Sequence, residues 1–110
     1  KTIAIVGILK DKDVYSLIKP MIGIVDLWYC VTIDSVRGMN AKEIRARMST
    51  IVNKDKIFIS DKMTDASLKA MSQLDKKDRL IIYGSFYTVS EYLTCYKTIT
   101  NLNENNYNEF

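Results

Sequence analysis

Histidine is absent from this 110-residue chain. That removes the commonest general base of enzymes and any Ser-His-Asp set. Cysteine is scarce: Cys30 and Cys95 stand alone, with no CxxC pair. Without histidine they leave no zinc site, and both read as small buried hydrophobes of a reducing compartment. No run approaches the ~20 apolar residues of a membrane span, so a cytoplasmic location is expected. Charge of one sign is also lacking. The net charge is +3, and Lys10, Lys12 and Lys19 are diluted by Asp11 and Asp13, whereas a nucleic-acid binder shows a basic face. There is no GxxxxGK[ST] phosphate loop, no acidic cluster for a metal, no repeat and no long linker. The chain starts at Lys1, without Met or a signal peptide, and enters a strand-like run at once. This reads as a cut or processed piece.

What remains is an ordinary globular composition, 47% hydrophobic and 26% charged, at a length suited to one domain. Four apolar runs rich in β-branched residues punctuate it: residues 2–8 (TIAIVGI), 25–33 (VDLWYCVTI), 56–60 (KIFIS) and 79–84 (RLIIYG). Continuous apolar runs of this length suit strands covered on both faces. Helical periods lie between them. Val14, Leu17, Ile18 and Met21 follow a candidate N-cap, Asp13, with Pro20 expected to interrupt the helix. Asn40 and Glu43 fit a capping box before Ile44, Met48 and Ile51. Thr64 is expected to cap a helix burying Leu68, Met71 and Leu74. Thr88-Val89-Ser90-Glu91 has the S/T-x-x-E form and predicts a helix with the stripe Val89, Tyr92, Leu93, Tyr96 and Ile99, Tyr87 stapling onto Tyr92.

Strand and helix alternating four times predict an α/β fold: a Rossmann-like, mostly parallel sheet with helices on both faces. The domain is expected to occupy residues 1–100. The asparagine-rich stretch 101–110 is expected to form a fraying polar tail.

Ligands of such sheets gather beyond the carboxyl ends of the strands. Three loops there carry unusual residues, each with two readings. Lys10-Asp11-Lys12-Asp13 is either a solvated charged cap or a local anion site, where a lysine adds to the free N–H groups of a helix start. Arg37, before Gly38 and the Asn40 cap, is either a surface residue in a turn or a planar fork for a carboxylate. Ser85, after Gly84, is either a small residue in a crowded turn or a hand for an anion.

Taken together and in order, "GILKDKDV", "DLWYCVTIDSVRG" and "YGSFYTVSEYL" resemble the C-terminal domain of the bacterial folylpolyglutamate synthase/dihydrofolate synthases, bifunctional folate ligases of the Mur ligase superfamily. The resemblance runs from about residue 2 to about residue 97. It implies an ATP-dependent ligase in which the substrate carboxylate is phosphorylated and the amine of glutamate attacks the acyl phosphate. Dihydropteroate or a folate is the implied acceptor. ATP and magnesium are implied to sit mainly on an N-terminal ATPase domain acting in cis, with no cofactor tightly held by this chain. By residue, the resemblance implies that Lys12 and Ser85 hold glutamate, with Arg37 as a third contact. Asp11, Asp13 and Tyr87 would support them. No residue of this chain is implied to be catalytic, and no nucleic acid, membrane or metal ligand set is implied.

Two departures stand out. The family's D-x-A-H-N strand and the helix after it are missing before Lys1, which should leave an exposed edge or a gap in the sheet. Tyr87 also stands where relatives often carry histidine. The alternative expectation is a free-standing receiver- or flavodoxin-like binding domain. Against it, Gly7 and Ile33-Asp34 make a poor acidic cluster, and the first loop is not rich in Ser, Thr and Gly.

Overall fold

The computed structural model describes the backbone of residues 1–108 and the side chains of residues 1–101. Four strands, β1 (Thr2–Val6), β2 (Leu27–Cys30), β3 (Ile57–Ile59) and β4 (Arg79–Tyr83), alternate with four helices. The helices are α1 (Val14–Ile18), α2 (Ala41–Met48), α3 (Met63–Ser72) and α4 (Phe86–Asn108). The sheet order is β3-β2-β1-β4, and every pairing is parallel.

The pleat explains the continuous apolar runs. Ala4, Val6, Trp28, Cys30 and Ile57 point to one face, where Val14 and Ile18 of α1 and Ile44 and Met48 of α2 cover them. Ile3, Ile5, Tyr29 and Val31 point to the other, under Met63, Ala66 and Ala70 of α3 and Tyr92 and Cys95 of α4. The central strands β1 and β2 need apolar residues at successive positions because neither of their faces meets water, whereas the edge strands β3 and β4 are only partly covered.

β3 and β4 are the edges. Arg45 shields the β3 side by donating from Nε to the Ile57 carbonyl at 2.9 Å. β4 pairs with β1 along its whole length, Thr2 with Arg79 through Val6 with Tyr83, so the described sheet has an edge at β4 and no gap.

Two caps stand where the sequence puts them. The Asp13 carboxylate accepts from the Tyr15 and Ser16 amides at 3.0 and 3.4 Å. The Asn40 side chain accepts from the Lys42 amide at 2.8 Å. Pro20 falls in a 3-10 turn, Lys19–Met21, that ends α1.

The last two helices correct the expected pattern. α3 begins at Met63, not after a Thr64 cap, and Lys62 before it makes no side-chain cap. It buries Met63, Ala66, Ser67 and Ala70, while Leu68 is 50% exposed. Small alanines let the helix approach the sheet, which sets its rotation against the larger leucine. α4 starts at Phe86, two residues before the expected Thr88 cap. Its inward side carries Thr88, Tyr92 and Cys95, whereas Val89, Leu93 and Tyr96 of the expected stripe are exposed. The polar stretch expected to fray continues α4 as far as Asn108. It contains neither Pro nor Gly, the residues that stop a helix most effectively. Residues 109–110 lie outside the described residues.

Candidate functional site at the carboxyl ends of the strands

The loop after β1 and the loop after β2 are knitted together. The Lys10 amide donates to the Arg37 carbonyl, and the Met39 amide to the Ile8 carbonyl, both at 2.8 Å. Leu9 and Gly38 form an antiparallel bridge between them. Gly38 fits because a Cβ there would lie 2.4 Å from the Ile33 carbonyl oxygen. This pairing brings the Arg37 guanidinium to 3.5 Å from Asp11, both side chains 59% exposed. Arg37 thus shares its charge with a neighbour the sequence spacing did not pair with it.

Asp13 is fully engaged as the cap of α1. Besides two amides it accepts from the Ser16 hydroxyl at 2.7 Å. That hydroxyl, with the amides behind it, holds its carboxyl below the usual aspartate value. Lys12 closes a turn by donating its amide to the Leu9 carbonyl at 3.1 Å. Its side chain is exposed, and among the described residues no carboxylate pairs with its ammonium. Of the four charges in this loop, Lys10 and Lys12 are therefore free cations among the described residues, Asp11 a partner of Arg37 and Asp13 a cap.

The loop after β4 locks onto the loop after β1. Ser85, not Thr88, caps α4: its Oγ accepts from the Thr88 amide at 3.2 Å. Thr88 is instead a buried pin, donating from Oγ1 to the Gly7 carbonyl at 2.8 Å across 81 residues of sequence. Gly84 takes φ +120° in the approach to this contact. Phe86 and Tyr87 open the helix with exposed rings, 83% and 46%, so Tyr87 makes no staple in the core. Glu91, read from sequence as part of a capping box, accepts from the Asp34 amide at 2.8 Å and ties α4 to the loop after β2. A local signal for the true start was present. Gly84-Ser85 directly before a helical period marks a cap as well as Thr88 does.

The structure therefore brings Arg37 together with Asp11, and Ser85 together with the base of the loop that carries Lys12. It gives Thr88, missed as a site residue, the bond that joins the loops. A separate open groove of about 1150 Å³ lies beyond β2 and β3, lined in part by Thr32, Asp34, Asp61, Lys62, Glu91 and Cys95. Lys12, Arg37 and Ser85 do not line it. Its excess of carboxylates has the wrong sign for an anionic ligand, and Asp61 and Glu91 are already engaged with Thr32 and Asp34. Among the described residues no group of three or more His, Cys, Asp or Glu could hold a metal, and no helix is long and apolar enough to cross a membrane.

Known proteins resemble this chain in sequence and in fold. The dihydrofolate synthase/folylpolyglutamate synthase of Buchnera aphidicola subsp. Baizongia pistaciae is 39% identical over 88 residues, 80% of this chain and 20% of that protein. The Haemophilus influenzae protein of the same name is 30% identical over 92 residues, 84% of this chain and 21% of its own. The chain thus spans about a fifth of the length of these relatives. Among solved structures, the bifunctional folylpolyglutamate synthase/dihydrofolate synthase of Yersinia pestis, complexed with AMPPNP and a Mn ion, matches with TM-score 0.76 at 29% identity. That match covers 88% of this chain and 22% of that one. Escherichia coli FolC in complex with ADP shares the fold, with TM-score 0.80 at 24% identity over 92% of this chain and 23% of its own. Residues 1–86 match the model of the Mur ligase, glutamate ligase domain, so on sequence and on sheet topology alike the chain belongs to that family.

Proposed function

We propose that this domain holds the incoming glutamate for an ATP-dependent folate ligase, through Lys12 and Ser85, with Arg37 as a third, weaker contact. The observation that carries the reading is the bond from Thr88 to Gly7. It couples the loop bearing Lys12 to the loop bearing Ser85 at the carboxyl ends of adjacent parallel strands.

The chemistry is consistent with this. Glutamate is a dianion with a nucleophilic amine. An unpaired lysine ammonium at an exposed loop attracts a carboxylate, a charge-assisted contact of about 1.5–3 kcal/mol. A half-buried serine on the loop after the adjacent strand supplies a directional polar contact. Fixing both ends of the amino acid raises the effective molarity of its amine at an activated acyl group. Arg37 contributes less, because Asp11 already offsets part of its charge. Asp11 and Asp13 shape the loop, and Tyr87 walls the approach without an imidazole to offer.

The donor set of this chain does not fit a magnesium–nucleotide site. It has no phosphate loop in its sequence and no metal-capable cluster among the described residues. ATP and magnesium belong in this reading to an ATPase domain in cis, and dihydropteroate or folate to the cleft between the two. The receiver- or flavodoxin-like alternative has no support beside the family match. Assay of the full-length ligase with dihydropteroate and, separately, with a reduced folate tests the reading. Glutamate-dependent product is expected, and its absence with both acceptors would defeat it.

A further inference from the structure

The hydrogens of Ser85 and Thr88 can be assigned by elimination. Thr88 is fully buried, and its Oγ1 lies 2.8 Å from the Gly7 carbonyl oxygen and 2.9 Å from Ser85 Oγ. A carbonyl oxygen only accepts, so the Thr88 hydroxyl hydrogen belongs to Gly7. Given to Ser85 instead, it would leave the Gly7 carbonyl without a donor in a place water does not reach. A Cβ on residue 84 would come to 2.2 Å from that same carbonyl oxygen, so only glycine leaves the contact room. The Ser85–Thr88 contact then requires the Ser85 hydrogen. Ser85 Oγ also accepts from the Thr88 amide at 3.2 Å. A serine hydroxyl has one hydrogen and two lone pairs. Its hydrogen and one lone pair are committed, and one lone pair is left.

We propose that Thr88 is a positioning residue that makes Ser85 an acceptor only, so that Ser85 takes the amino group of the incoming amino acid and not a carboxylate. The inference rests on the reading that glutamate binds at these loops, and it names which end of glutamate meets which residue. Lys12 has three donors and no acceptor and takes a carboxylate. Ser85, with its hydrogen turned inward, takes an N–H and orients the nitrogen. The two residues are complementary because an amino acid presents both kinds of group. The sequence treats Ser85 as a hand for an anion, and the relay Ser85–Thr88–Gly7 reverses that polarity.

The test compares L-glutamate with glutarate, which keeps both carboxylates and lacks the amine, in the full-length ligase. KM for glutamate and the inhibition constant of glutarate are measured for wild type, Ser85→Ala, Thr88→Val and Thr88→Ser. Ser85→Ala is expected to raise the glutamate KM about threefold to tenfold, the scale of one neutral hydrogen bond, and to leave glutarate within about twofold. Thr88→Val frees the Ser85 hydrogen, so glutarate should bind more tightly relative to glutamate by about threefold or more. Thr88→Ser should restore the wild-type ratio. A purely structural role for Thr88 would weaken both ligands together and leave the ratio fixed, which overturns the proposal. So does a Ser85→Ala variant that loses glutarate as strongly as glutamate. If Thr88→Val does not fold, the Ser85→Ala comparison still decides. A wild-type enzyme with no glutamate-dependent turnover at all would remove the reading beneath the proposal, an outcome distinct from an unchanged ratio.

Discussion

Gly84 faces Gly7 across the ends of β4 and β1 so closely that a methyl group on Gly84 would lie 2.2 Å from the Gly7 carbonyl oxygen. Backbone cannot move aside as a flexible side chain can, and Gly84 also sits at φ +120°, which L-residues avoid. Gly84→Ala is therefore expected to cost about 3 kcal/mol or more, strain and clash combined. Gly23, with nothing within 4 Å of a Cβ position and no positive φ, is the control. Gly23→Ala should stay within about 0.5–1 kcal/mol of wild type. Urea unfolding of both variants checks the contrast, and equal midpoints would deny the close approach.

Trp28 is the largest fully buried side chain, 1% exposed in the middle of β2, with Ala4 and Ile57 as its neighbours in register. Trp28→Ala should cost roughly 3–5 kcal/mol, since the core closes only partly over so large a void. Phe58 on β3 is 41% exposed and stacks on Tyr29 with ring centroids 5.4 Å apart. Phe58→Ala should cost less, on the order of 1–2 kcal/mol of burial and stacking. Denaturation curves that rank the two variants in the opposite order would contradict the layering of the sheet.

The central strands β1 and β2 were legible in sequence because both their faces are covered, and that condition writes itself as unbroken apolar runs. The Asp13 and Asn40 caps were legible because a cap acts within two or three residues. The rotation of α3 was not. Leu68 outweighs Ala66 in any hydrophobic count, yet closeness to the sheet selected Ala66 and Ala70, and that is a tertiary condition. At the site, the loops and their charges could be read, but not their pairing. Asp11 meets Arg37 across 26 residues and Thr88 meets Gly7 across 81. The α4 cap is a different case: Ser85 and Thr88 carry equally local signals, and only the structure decides for Ser85.

The two cysteines should behave differently. Burial pushes the Cys30 thiol up to about 12, against a small opposing pull from Arg45. Its Sγ lies 3.8 Å from the Met48 sulfur, inside the core. At pH 8 it should resist an alkylating thiol reagent except through unfolding, while half-buried Cys95 on α4 labels faster. The sign of the pH effect follows. With the folded value above the ordinary 9.0, Cys30 withholds ionisation that the unfolded chain allows. Its contribution to stability is whole below about pH 9 and is lost as pH rises from there towards 12. Cys30→Ala should flatten that alkaline loss. Mass spectrometry after timed alkylation, with unfolding followed between pH 7 and 10, reads both effects, and equal labelling rates would count against a buried Cys30.

Lys12 and Arg37 separate the glutamate reading from a merely charged loop. Both are exposed cations at the carboxyl ends of neighbouring strands, but only Arg37 has a carboxylate beside it, Asp11 at 3.5 Å. Removing an unpaired lysine that meets a substrate carboxylate loses a charge-assisted contact of about 1.5–3 kcal/mol. In the full-length ligase, Lys12→Ala should therefore lower kcat/KM for glutamate by about tenfold to a hundredfold. Arg37→Ala loses a cation whose field is already partly cancelled, and the fall should be under about tenfold. Asp11→Asn releases Arg37 from its partner and adds no new charge, so glutamate should bind slightly more tightly. KM for ATP should move by less than about twofold in all three, because the fall in kcat/KM comes from contacts made to glutamate alone. Steady-state kinetics with glutamate and ATP varied separately distinguish the outcomes. If Lys12→Ala and Arg37→Ala fall equally, or if the loss lies in ATP, the first loop is a solvated cap and the amino acid binds elsewhere.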